Sequence, residues 1–131
     1  MRPKLKELYS SEVELFSWEP ATPVDVYFLL ELEIGDPGTD GKDLFYVTVA
    51  TPEGLRAHAK GPMIAERAVL VVSEFSLSAL REHVATILQR CEAPTWPECS
   101  TKLQRYFRWE YEDYSQEEDS YRSRDPADGE R

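Results

Sequence analysis

The clearest alternation of apolar and polar residues lies in residues 24–34, which read VDVYFLLELEI. One parity holds Val24, Val26, Phe28, Leu30, Leu32 and Ile34, and the other holds Asp25, Tyr27, Leu29, Glu31 and Glu33. Successive side chains of a strand point to opposite faces of a sheet. The segment is therefore predicted to be a long strand with one face in the core.

A turn and a second alternating segment follow this strand. Residues 35–41, GDPGTDG, are rich in turn formers, and Pro37 followed by Gly38 predicts a type II turn. Residues 44–50, LFYVTVA, alternate again, so the two strands should form an antiparallel hairpin. Residues 3–8 predict a short first strand, although their alternation is weak.

The segments after the hairpin predict a helix and then a strand. Thr51 and Pro52 are typical of a helix start, and this helix is expected to end at Gly61 and Pro62. Residues 68–75, AVLVVSEF, are continuously apolar at their centre, which predicts an interior strand.

Two further helices and a last strand are predicted in the C-terminal half. The helical spacing of the first is carried by Leu77, Leu80, Val84, Ile87, Leu88 and Cys91. Thr95 and Glu98 form a capping-box pattern that begins the second. Residues 108–114, RWEYEDY, alternate as a strand does, and Trp96 and Trp109 are expected to anchor the core because large aromatic side chains dominate packing.

This order of elements predicts an α+β domain over residues 1–114, with a single antiparallel-rich sheet and helices packed on one face. Residues 115–131 contain almost no aliphatic side chains and are predicted to be a disordered, acidic C-terminal tail.

With helices on one side, the opposite face of the sheet should stay open. Tyr27, Glu31 and Glu33 would lie on that open face, as a partner surface or as a solvated one.

The charge of the chain narrows the choice of partner. Among 131 residues, 25 are acidic and 15 are Lys or Arg, which gives a net charge of −10. Nucleic acids and anionic membranes both require basic surface, so neither is an expected ligand. A basic protein would suit such a surface, although acidity also serves solubility alone.

Many of the acidic residues lie at the C-terminal end of the chain. Residues 110–131 contain nine acidic residues and three arginines, a net −6 of the total −10. We hypothesise that Glu110, Glu112, Asp113 and Tyr114 face a partner, with Tyr111 inside. Acidic side chains steer a basic partner toward the surface, and aromatic side chains provide contact area. The alternative is a solvated strand edge followed by a charged tail. Charge reversal to Lys at positions 110, 112 and 113 is expected to slow association and leave the fold intact.

The sequence predicts no catalytic or cofactor chemistry. It contains no nucleophile elbow, no glycine-rich phosphate loop and no zinc-ligand spacing, and Cys91 and Cys99 are interpreted as buried thiols in a reducing cytosol. No apolar run is long enough for a signal peptide or a membrane span, which predicts a cytoplasmic protein.

Three segments together resemble a known family. They are EIGDPGTDGKDLFYVTVATPEGL, PTWPECSTKL and WEYEDY, and in this order and spacing they resemble the immunity protein 8 family of bacterial polymorphic toxin systems over residues 3–114. The resemblance implies an α+β, cytoplasmic, non-catalytic protein that binds a cognate toxin. Many bacterial toxins are nucleases, which must be basic to hold phosphates, so an acidic inhibitor would be steered toward them.

Two other functions stay open at this point. The first is an acidic adaptor or regulator of another cytoplasmic protein, which the gene immediately upstream would distinguish from an immunity protein. The second is a small enzyme, which would require a concave pocket with convergent polar groups.

Overall fold

A computed structural model describes residues 1–59 and 61–112. Within them the elements follow in the order β1 (Lys4–Tyr9), β2 (Tyr27–Gly35), β3 (Asp43–Ala50), α1 (Pro52–His58), β4 (Val69–Val71), α2 (Leu77–Arg90), α3 (Trp96–Leu103) and β5 (Arg108–Trp109). The sheet is mixed and mostly antiparallel, so the predicted α+β class is confirmed. The predicted tail, residues 115–131, lies outside the described residues, as do Asp113 and Tyr114.

Strand β3 lies inside the sheet and pairs along both of its edges. Strand β2 pairs antiparallel with it from one end to the other, which confirms the predicted hairpin. The opposite edge of β3 is shared: β5 pairs antiparallel at Phe45 and Tyr46, and β4 pairs parallel from Thr48 to Ala50. Strand β1 adds to the far side of β2.

The core lies between the sheet and two helices. Its buried residues come from alternate positions of β2 and β3 and from one side of α2 and α3: Phe28, Leu30, Leu32, Ile34, Phe45, Val47, Val49, Leu80, Val84, Ile87, Leu88 and Leu103. These are the positions that the two periodicities predict. Val24 is an exception, since it is 47% exposed. The reason is that β2 begins only at Tyr27, so Val24 has no strand partner to place it on the core face.

The turn between β2 and β3 differs from the predicted type. A type II turn requires a positive φ at its third residue, but Gly61 is the glycine with a positive φ in the described chain. The N–H of Thr39 donates to the carbonyl of Asp36 at 3.3 Å, and the N–H of Gly38 donates to the Asp36 carboxylate at 2.7 Å. The aspartate side chain therefore organises the turn, and the type II prediction is wrong.

Helix α1 begins as predicted and ends earlier than predicted. The Thr51 hydroxyl accepts the N–H of Gly54 at 3.1 Å, as an N-cap does. The last turn closes where the N–H of Ala59 donates to the carbonyl of Arg56, and Ala59 is already extended. The helix thus ends at His58, before the predicted stop at Gly61.

Two predicted strands are much shorter in the structure. Residues 68–75 contribute the three-residue β4, which lies at an outer edge of the sheet and is half-buried to exposed, so the interior strand is wrong. Within residues 108–112, strand β5 comprises only Arg108 and Trp109, because the Glu112 carboxylate accepts the N–H of Trp109 and folds the chain back. Tyr111, expected inside, is 44% exposed.

Trp96 and Trp109 pack at the rim of the core. Both are half-buried and lie against the buried cluster, as expected of anchors, although neither is fully enclosed. The ring of Trp96 meets Phe45 edge-on at 6.5 Å, and the indole N–H of Trp109 donates to Asp43 at 3.1 Å. Trp109 thereby ties β5 to the start of β3.

Gly54 gives a test in which packing and helix propensity have opposite signs. Alanine inside a helix is favoured over glycine by about 1 kcal/mol, but a Cβ at Gly54 would lie 1.9 Å from the carbonyl oxygen of Val26. We expect Gly54→Ala to lower the free energy of unfolding by about 1–3 kcal/mol or more, measured by urea denaturation. The control is Gly38→Ala, where the Cβ would meet a side chain at 3.4 Å and the change should stay within about 0.5 kcal/mol. A stabilised Gly54→Ala protein would contradict this packing.

Candidate partner-binding surface

The face of the sheet opposite α2 and α3 carries rows of aromatic and charged side chains. Strand pairing aligns Tyr9, Glu31, Tyr46 and Arg108 in one row across four strands. The neighbouring row contains Glu33, paired with Glu7 on one side and Leu44 on the other. We call this surface the open face. The structure thus brings the predicted residues Glu31 and Glu33 together on it.

The two glutamates of β2 are held by neighbouring groups. Glu31 accepts the backbone N–H of Ser11 at 2.8 Å. Glu33 lies 2.6 Å from the Lys42 ammonium and accepts the hydroxyl of Tyr9 at 3.0 Å. The adjacent Lys42 ammonium holds the pKa of Glu33 below its usual range, against the opposing effect of burial. Both carboxylates therefore already have polar partners within the protein.

Tyr9 lies among three carboxylates. Burial, the hydrogen bond to Glu33 and the nearby charges of Glu33, Glu31 and Glu7 raise its pKa to about 12. Strand β1 carries a bulge between Leu5 and Glu7, which weakens its alternation. The sequence pattern therefore did not identify Tyr9, and the strand register is what places it on the open face.

Tyr27 lies at one end of the open face, where α1 contacts it. Its ring stacks on His58 with the centroids 3.9 Å apart, and its hydroxyl donates to Glu66 at 2.9 Å. Burial and that hydrogen bond raise the pKa of Tyr27. The predicted open face is thus partly closed by α1 at this end.

Glu110 and Glu112 have structural roles beside β5. The Glu110 carboxylate accepts the N–H of Leu44 at 2.8 Å. Glu112 accepts the N–H of Trp109 at 3.1 Å and pairs with Arg67. Burial raises the pKa of Glu112, but Arg67 and the Trp109 N–H outweigh it and leave the pKa lowered. Lysines at 110 and 112 would remove these acceptors, so the charge reversal would disturb the fold as well as the charge.

The side chains of the described residues form no candidate metal site. They include no group of three from His, Cys, Asp or Glu that could hold a metal ion. Cys91 and Cys99 are both buried and free, and burial raises the pKa of Cys91. No helix in residues 1–59 and 61–112 has the length and apolar character needed to cross a membrane.

Comparison with known proteins identifies a family. The family model of immunity protein 8 matches residues 3–114. That range covers every helix and strand described above. No curated protein and no solved structure matches the chain.

The backbone contact of Glu110 gives a stability test. We expect Glu110→Ala to lower the free energy of unfolding by about 1–2 kcal/mol, because the N–H of Leu44 loses its acceptor in a half-buried position. Glu110→Gln keeps an oxygen acceptor and should retain most of the stability. Urea denaturation of the two variants would separate the hydrogen bond from the charge, and equal losses in both would contradict this role.

The raised pKa of Tyr9 gives a test at alkaline pH. Below about pH 10 the phenol is protonated in both the folded and the unfolded chain, and its contribution to stability is complete. Between about pH 10 and 12 the unfolded chain releases this proton first, so stability is lost as the pH rises. We expect the free energy of unfolding to fall less steeply across this window in Tyr9→Phe than in the parent. Parallel pH profiles would show that the two states do not differ in the ionisation of Tyr9.

Proposed function

Because the chain belongs to the immunity protein 8 family, we propose that it binds and neutralises a cognate toxin in the cytoplasm of its producer, without catalysis. The single observation that carries this proposal is the family match over residues 3–114. An inhibitor of this kind needs a stable scaffold and a complementary surface, and it needs no reactive group.

The open face is the surface we propose for the toxin. It combines tyrosines with carboxylates, and tyrosine is one of the residues that contribute most to binding energy in interfaces. Glu31 uses one carboxylate oxygen for the N–H of Ser11, so it keeps capacity to accept a hydrogen bond from a cation of the toxin. Because the carboxylate already has a partner within the protein, binding loses little side-chain entropy.

The proposed toxin is a basic domain, of the kind that binds nucleic acid. A net charge of −10 attracts such a domain over a distance and raises the rate of encounter. Glu110 and Glu112 border the open face next to Leu44 and β5, and they contribute to this field while they hold the backbone. Asp113 and Tyr114, which follow in the sequence, remain part of the proposed surface.

Neutralising two acids of the open face tests the proposal. The probe is the toxin domain expected to be encoded beside this gene. Its rate of association with the Glu31→Gln/Glu33→Gln variant would be measured at several salt concentrations. Each glutamine keeps one acceptor oxygen, for the N–H of Ser11 at position 31 and for the Tyr9 hydroxyl at position 33, so the fold should persist although the contact with Lys42 is lost. We expect association to slow by roughly threefold to tenfold, with a flatter dependence on salt.

The matched control is Glu82→Gln/Glu98→Gln, which removes two exposed acids from the helical layer. This variant changes the net charge equally, so a specific role of the open face predicts a smaller effect. Equal effects would mean that only the total charge matters. Absence of any complex between the parent protein and the adjacent toxin, together with unprotected cells, would refute the proposed function.

A further inference from the structure

Strand β4 forms an outer edge of the sheet, and no described residue pairs with its outer side. The carbonyl of Ala68 and the N–H of Val72 both bond to β3, at 3.0 and 2.9 Å. In a parallel ladder the residues alternate, so Leu70 also bonds to β3 while the N–H and carbonyl groups of Val69 and Val71 point away. The edge therefore presents two donors and two acceptors in the spacing of a strand.

The two outer strands of the sheet differ in their protection. Strand β1 carries Lys4 and Lys6 and has a bulge after Leu5, and all of these features discourage pairing with another chain. Strand β4 reads VLV, has no charge, and leaves Val71 54% exposed. The protein thus blunts one edge and leaves the other able to pair.

An apolar groove runs beside the β4 edge, between the strand and α2. Its larger part has a volume of about 610 Å³ and is lined by Leu70, Ala79, Leu80 and His83, among others. A second part of about 300 Å³ shares Leu70 and His83 with the first. A strand added to β4 would send alternate side chains into this groove and the others toward the open face.

The charges at the two ends of the groove indicate the chemistry of the occupant. Glu74 lies at the end where β4 finishes, and Arg105 lies at the end where it begins. His83 is exposed between them on α2. The complementary segment is apolar at alternate positions, with a basic residue toward Glu74 and an acidic residue toward Arg105. A second copy of this chain fits less well, because two molecules of charge −10 repel each other.

We propose that the β4 edge binds an extended segment of the cognate toxin, which adds a strand to the sheet and inserts apolar side chains into the groove. This inference rests on the proposed function and names the part of the toxin that is recognised. Main-chain hydrogen bonds to Val69 and Val71 provide affinity, and the groove provides specificity. The added strand would also widen the open face, since Val69 pairs with Thr48 of β3.

Proline at position 71 tests the main-chain contact. The N–H of Val71 points away from β3, so Val71→Pro removes an outward donor and keeps the pairing with β3, as proline on an edge strand does. Val71→Thr is the control, because it keeps the N–H and the β-branched shape. We expect the Kd for the adjacent toxin domain to rise at least about tenfold in Val71→Pro and to stay within about twofold in Val71→Thr.

A bulky residue in the groove tests the side-chain contact independently. Ala79→Trp would occupy the groove from α2, and Ala85→Trp places the same residue at another exposed position of that helix. We expect weaker toxin binding only for Ala79→Trp, with similar melting temperatures for both. Unchanged binding by Ala79→Trp and Val71→Pro, with the parent still binding the toxin, would overturn the edge contact and leave the proposed function standing.

Amide hydrogen exchange of the full-length protein identifies what covers the edge. The N–H groups of Val69 and Val71 should exchange fast in the free protein and slowly in the toxin complex, while that of Leu70 is slow in both. Slow exchange of Val69 and Val71 in the free protein would show another segment or a second copy on this edge, and would refute the proposal. No complex at all would instead refute the proposed function.

Discussion

The register of the β2–β3 hairpin is the constraint on which the rest of the structure depends. Residues 27–34 pair with 43–50 without interruption, and side chains alternate between the two faces. A slip of one residue would exchange the faces, moving Phe28 and Leu30 to solvent and Glu31 and Glu33 under the helices. Burial of two carboxylates without partners costs several kcal/mol each, so this register also decides where the helices pack.

The end of the hairpin fixes where the next element, α1, begins. The Thr51 hydroxyl accepts the N–H of Val26 and the N–H of Gly54, both at 3.1 Å, and the N–H of Thr51 donates to the carbonyl of Val26 at 3.0 Å. One buried side chain thus extends the strand pairing and begins α1. The helix approaches Val26, the residue before β2, so closely that there is no room for a Cβ at Gly54, and the ring of His58 lies on that of Tyr27.

The features predicted from the sequence are those that a local pattern determines. The period of two identifies β2, β3 and their buried residues, and the caps at Thr51 and Thr95 mark two helix starts. The lengths of β4 and β5 depend on how they share one edge of β3, which no local pattern records. Tyr111 shows the consequence. It shares the apolar parity of Trp109, so the pattern predicts burial, but strand pairing ends at Trp109 and Tyr111 is exposed.

The candidate site likewise combines features that a local sequence pattern predicts with contacts that it does not. The alternation places Glu31 and Glu33 on one face, but their partners Ser11 and Lys42 come from other parts of the chain. Glu110 likewise bonds to Leu44, which is 66 residues away. Such contacts require the folded topology, so an acidic segment such as RWEYEDY could be recognised in the sequence without its structural role.

Because of these internal contacts, the acidic side chains have two distinct roles in the proposed complex. The rate of encounter depends on the net charge of the whole molecule, which pairing inside the protein does not change. Close contact depends instead on which carboxylate can accept a new cation at low cost. A toxin cation would have to displace the Lys42 ammonium from Glu33, whereas the Glu31 carboxylate accepts an uncharged N–H, that of Ser11. In the proposed complex, Glu31, which lies between Tyr9 and Tyr46 in the row that crosses the sheet, would therefore be the better acceptor for a basic side chain of the toxin.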